Sequence, residues 1–126
     1  MIYYIDTNAI LRYLLKDNIE QFNKANVIFE KAREGDLYIV VLESVLVECI
    51  YVLMKFYKVP KNEIVSKLET LLNYKGVKNS DKTELLKALQ IFKEKNIAIV
   101  DCIVYSKAKQ SQSNIFTFDE KLLKLK

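Results

Sequence analysis

Four carboxylates in this chain, Asp6, Glu48, Asp101 and Asp119, have the type and placement to do chemistry together. Asp6 directly follows the apolar run Ile2–Ile5, Asp101 follows Ile97–Val100, and Asp119 follows Ile115–Phe118. Each run reads as a short strand. In a parallel sheet the C-terminal strand ends share one edge, and ligand sites form in the crevice there. Three acids distant in sequence are therefore expected to meet in space.

Glu48 is the fourth. Its neighbours Val45, Leu46, Val47, Cys49, Ile50, Val52 and Leu53 describe a helix that is apolar almost all round. An unpaired carboxylate there needs a cation, a base or a proton. Ser44, Val45, Tyr51 and Val52, one helical turn away, supply no basic group. Glu43 lies about 140° round the helix from Glu48 at ~100° per residue, and fits better as the acid that starts the helix. Each Asp could instead only cap a helix, but one shared site accounts for all four acids at once.

Carboxylates without thiolate or imidazole select hard ions such as Mg²⁺ or Mn²⁺. Such ions make hydroxide from bound water and neutralise charge on phosphate, so phosphodiester hydrolysis is the natural reaction class. The chain has no His. That excludes Ser-His-Asp catalysis, imidazole acid–base chemistry and His-based metal sites.

Cys49 and Cys102 lack a CxxC spacing and read as free, buried thiols of a reducing compartment. The net charge of +4, carried mostly by Lys, is compatible with a polyanionic partner. The N-terminus has no basic n-region of a signal peptide. Leu37–Met54 is apolar enough to imitate a membrane helix, but Glu43 and Glu48 make insertion costly. A cytoplasmic protein with no membrane partner is expected.

These side chains need elements to hold them. Strands are expected at Ile2–Ile5, buried on both faces, and at Leu37–Leu42, Ile97–Val100 and Ile115–Phe118. Helices are expected over Asn8–Lys16, over Glu20–Arg33 with Gly35 as its stop, over Ser44–Tyr57, and from Pro60. Others begin at Asp81, where Glu84 completes a capping-box pattern, and span Asp101–Gln110 and Glu120–Leu125. Strands separated by helices imply parallel pairing. The expected fold is α/β: a three-layer α/β/α sandwich with a central, mainly parallel sheet, in one domain over residues 1–126.

The assembled motifs resemble the PIN domain, and most closely the VapC-type toxin ribonucleases of toxin–antitoxin pairs. They are Ile5-Asp6-Thr7-Asn8 with Leu11-Arg12-Tyr13-Leu14, Val45-Leu46-Val47-Glu48 with Tyr51-Val52-Leu53, Val100-Asp101-Cys102-Ile103, and Thr117-Phe118-Asp119. The resemblance implies a Mg²⁺- or Mn²⁺-dependent endoribonuclease whose metal-binding and catalytic acids are Asp6, Glu48, Asp101 and Asp119. It also implies supporting polar roles for Asn8 and Thr117, a homodimer, and inhibition by a small antitoxin protein. One departure is Ala98, where many relatives carry a further acid three residues before the third carboxylate.

Lys107, Lys109, Lys121 and Arg12 are placed to flank an RNA backbone or to be plain surface charge. Tyr3, Tyr4 and Tyr51 read as core rather than as platforms for bases. Two other functions compete with a nuclease. A non-catalytic PIN-fold module for RNA or a protein would have no reason to retain four acids. A phospho-receiver domain needs an Asp after a central strand, and none follows Leu37–Leu42.

Overall fold

Strand β1 (Ile2–Tyr4) leads into helices α1 (Thr7–Leu15) and α2 (Ile19–Glu34), and the chain returns as β2 (Tyr38–Val40), parallel to β1. This is a computed structural model that describes residues 1–125. Ile2 lies opposite Tyr38, Tyr3 opposite Ile39, and Tyr4 opposite Val40. Parallel neighbours need a long connection back to the starting edge, and the two helices supply it. The Ile5 N–H donates to the Val40 carbonyl at 3.1 Å, carrying the pairing one residue past β1.

These elements, with α3 (Glu43–Lys55) and α4 (Lys61–Leu72), belong to the first of two compact units, Met1–Ser80 and Asp81–Lys126. Capping residues set the helix ends. Asn18 starts α2 by accepting the Gln21 N–H at 3.0 Å, and Gly35 ends it in the left-handed region at φ +86°. Helix α3 turns Leu46, Cys49, Ile50 and Leu53 inward at helical spacing, and α4 does the same with Ile64, Leu68, Leu71 and Leu72.

Beyond α4 the chain comes back beside β2. The Ile39 N–H donates to the Gly76 carbonyl at 2.8 Å, and the Lys78 N–H donates to the Ile39 carbonyl at 2.9 Å. A Cβ on Gly76 would lie 2.1 Å from the Leu37 carbonyl oxygen and 2.8 Å from that of Ala32, so only glycine fits. Three residues on, the Asn79 side-chain amide accepts the Val41 N–H at 2.9 Å and donates to the Val41 carbonyl at 2.6 Å. One side chain thereby pairs Val41, just past β2, as a neighbouring strand would.

The second unit contains α5 (Lys82–Glu94), α6 (Ile99–Gln110) and α7 (Glu120–Lys124). Helices α5 and α6 pack together, burying Leu85, Leu89 and Phe92 of one and Ile99, Cys102 and Ile103 of the other. The Asp81 carboxylate makes no capping bond to its own helix. It pairs with Lys107 at 3.0 Å, so the expected capping box does not form.

Several expectations are corrected. Among the described residues the sheet has two parallel strands and the remainder is mostly helical. Residues 97–100 are not a strand, because α6 begins at Ile99 and its buried positions 99, 102, 103 and 106 follow a helical period. Residues 115–118 form no ladder, and Phe116 and Phe118 stand exposed against each other at 5.3 Å. β1 is not buried on both faces: Ile2, Tyr3 and Tyr4 are exposed and only Ile5, just beyond it, is buried. Tyr51 is exposed as well, so none of the three tyrosines expected in the core is there. No helix among the described residues is long and apolar enough to cross a membrane.

Candidate active site

Two residues past β1 the backbone is extended at Asp6, and α1 begins. Asp6 is the N-cap: its Oδ1 accepts the Ala9 N–H at 2.9 Å, which leaves Oδ2 open. The free amides and dipole of the helix start favour negative charge there. Thr7 and Asn8 follow in the first turn.

Helix α3 packs on α1 and brings Glu48 to the same place. The Thr7 hydroxyl donates to Glu48 Oε1, joining residues far apart in the chain. Asp6, Thr7, Asn8 and Glu48, with Leu11 and Val45, line an open groove of about 410 Å³. No Lys or Arg lines it, and neither carboxylate has an ion-pair partner among the described residues of this unit.

Glu48 is exposed, contrary to the expectation of a buried acid. Only one side of α3 faces the core, and Glu48 and Tyr51 project from the other. Glu48 therefore carries no burial cost that a bound ion would have to relieve. The juxtaposition with Asp6 is what favours an ion: two like charges share a groove with no cation to offset them.

The next residue, Cys49, is buried, and its thiol approaches the Thr7 carbonyl at 3.9 Å. Burial, reinforced by the charges of Glu48 and Asp6, pushes the thiol pKa up to about 12. A thiol buried in apolar surroundings in this way is a poor nucleophile. What remains at the groove is oxygen. Carboxylate, hydroxyl and amide oxygens suit a hard cation, and Mg²⁺ is commonly held by one or two carboxylates plus water and phosphate.

The other expected residues lie in the second unit. Asp101 is half-buried in the first turn of α6, and not at a strand end. Ala98 is that helix's N-cap and offers no side-chain oxygen. Asp119 is the N-cap of α7, its Oδ1 accepting the Leu122 N–H at 3.0 Å. The Thr117 hydroxyl accepts the Asp119 N–H at 3.0 Å and fixes the backbone on which that acid sits. Within either unit, no three His, Cys, Asp or Glu side chains among the described residues are grouped to hold an ion.

The basic residues divide. Arg12 is committed to Asp17 at 3.0 Å and to the Tyr57 hydroxyl at 3.2 Å, which removes it as a free backbone clamp. Lys107 is held by Asp81, while Lys109 and Lys121 are exposed. Thr7 is the site residue that sequence reasoning passed over. Its partner arrives 41 residues later, and no local pattern announces it.

Over residues 3–126 the chain matches the PIN domain, and it belongs to that family. PIN domains are generally nucleases, often of toxin–antitoxin systems. No curated protein and no solved structure matches the chain.

Proposed function

We propose that this protein is a Mg²⁺- or Mn²⁺-dependent endoribonuclease, the toxin of a toxin–antitoxin pair resembling the VapC type. The observation that carries the reading is the Asp6–Glu48 groove, with two carboxylates, no cation among its lining residues and a hydroxyl fixing one acid. Asp6 and Glu48 would hold the ion, with Asp101 and Asp119 completing the set in a single nuclease domain spanning residues 1–126. A three-layer sandwich around a mainly parallel sheet, a cytoplasmic homodimer, and a small protein antitoxin belong to the same proposal.

When bound, the ion supplies an activated water and offsets charge on the phosphate. The chain's own groups do the positioning. Asp6 is held by its capping bond with one oxygen free, and Thr7 orients Glu48 through its hydroxyl. Asn8, exposed beside them, carries an amide able to donate to a phosphate oxygen. Both acids are exposed, so a polymer can reach them without the groove opening.

The test is cleavage of single-stranded RNA by the purified chain in Mg²⁺ or Mn²⁺, repeated with EDTA and with Asp6→Asn, Glu48→Gln and Asp101→Asn. Loss in chelator and in each variant is expected. Equal cleavage in chelator would refute metal dependence. A folded protein that binds RNA and never cuts it would support a non-catalytic binding module.

A further inference from the structure

A second concavity of about 410 Å³ lies elsewhere on the first unit, among α1, α2 and α4. That volume falls in the ~300–1,000 Å³ range of small-molecule sites. Its chemistry is the reverse of the acidic groove. Lys16 and Lys67 line it, and neither forms an ion pair among the described residues of the unit. Glu30 is the one acid there. Both its oxygens are engaged, by the Tyr13 hydroxyl at 2.8 Å and by Arg33 at 2.8 Å.

The aromatic wall is fixed in advance. Tyr13 stacks on Phe29 at 4.4 Å and lies nearly parallel to Phe22 at 6.4 Å. Its hydroxyl is pinned between Glu30 and the Tyr74 hydroxyl, the latter at 2.7 Å. Lys16 ends α1 in the left-handed region at φ +55°, and its ammonium lies 5.5 Å from the Phe22 ring centre. A wall already ordered loses little freedom on binding.

Asn26 supplies the remaining group. It is half-buried in the lining, and its side-chain amide has no hydrogen-bond partner among the described residues of the unit. An amide offers a donor and an acceptor together, the pair that reads the edge of a nucleobase.

We propose that this pocket binds a nucleotide, its base against the Phe22–Tyr13 wall within reach of Asn26 and its phosphate at Lys16 and Lys67. The ligand is either a free nucleoside monophosphate or the terminal nucleotide of a strand. The site does not depend on the acidic groove or on cleavage.

The test is titration of the ¹⁵N-labelled full chain with each of the four ribonucleoside 5′-monophosphates, the matching nucleosides, inorganic phosphate, and a short single-stranded RNA. We expect saturable shifts at residues of this pocket with at least one nucleotide and weaker binding of its nucleoside. Lys16→Ala/Lys67→Ala and Asn26→Leu should each weaken binding by about tenfold or more, and Asp6→Asn/Glu48→Gln should leave it unchanged. Tighter binding of the RNA than of the monophosphate, read at residues of this pocket in Asp6→Asn/Glu48→Gln, identifies a strand end as the ligand, and equal binding identifies the free nucleotide. No shift with any nucleotide, or affinity that survives in the lysine variant, overturns the proposal.

Discussion

The Thr7 hydroxyl donates its hydrogen bond to the Glu48 carboxylate, so the first turn of α1 dictates where an acid in the middle of α3 points. A hydrogen bond to a charged group is worth ~1.5–3 kcal/mol. In the proposed reaction, that restraint decides whether Glu48 is ready to share an ion with Asp6. Thr7→Val is expected to lower RNA cleavage about 10- to 100-fold and to lower stability by no more than the loss of that one bond. Thr7→Ser, which keeps the hydroxyl, should restore most of the rate.

Asp6 would have two duties in the proposed enzyme, and substitution can separate them. Its capping bond to Ala9 needs an oxygen, while ion binding needs a charge. Asp6→Asn keeps the first and loses the second, and Asp6→Ala loses both. Both variants should be inactive in the cleavage assay. Only the alanine variant should lose about 1 kcal/mol in urea denaturation.

Gly76 is the residue least tolerant of a side chain. A methyl group there would meet the Leu37 and Ala32 carbonyl oxygens, both backbone atoms that cannot swing away. Gly76→Ala is expected to cost about 3 kcal/mol or more, read as a fall in the denaturation midpoint. The effect on the RNA assay should follow the loss of folded protein.

Alkaline pH should act through Tyr13. Burial foremost, then its bonds to Tyr74 and Glu30, raise its pKa well above the usual 10.0. Above that value the unfolded chain releases the proton while the folded chain keeps it. The tyrosine's contribution is therefore complete below about pH 10 and declines as the pH climbs toward the folded value. Midpoints measured across that range should fall, and Tyr13→Phe should flatten the slope. A slope identical in both proteins would show that another group carries the effect.

Helices with a clear stripe and a stop were legible from the sequence. α2 ends at Gly35, and α4 buries Ile64, Leu68, Leu71 and Leu72 as their spacing requires. Short apolar runs were not. Ile97–Val100 is β-branched enough to suggest a strand, yet Ile99, Cys102, Ile103 and Ser106 keep the period of a helix, and packing against α5 enforces it. Ile115–Phe118 is a short apolar run, which carries no guarantee of a pairing partner. At the site, Asp6 was legible because it follows the apolar run Ile2–Ile5 and precedes a helix, which it caps. For Glu48 the cost of burial does not apply, since its neighbours are apolar but its own face is open. Thr7 was invisible because its role is created only when α3 packs on α1.

Strand β2 is flanked on one side by β1 and on the other by the stretch around Gly76, with Asn79 closing over Val41. That second flank is made of residues translated nearly 40 positions after the strand itself. A nascent chain that has emerged only as far as α3 therefore exposes Ile39 on an unsatisfied edge, and the ribosome must deliver α4 and the turn beyond it before this unit can close. Synthesis order thus makes residues 76–79 the latch of the first unit.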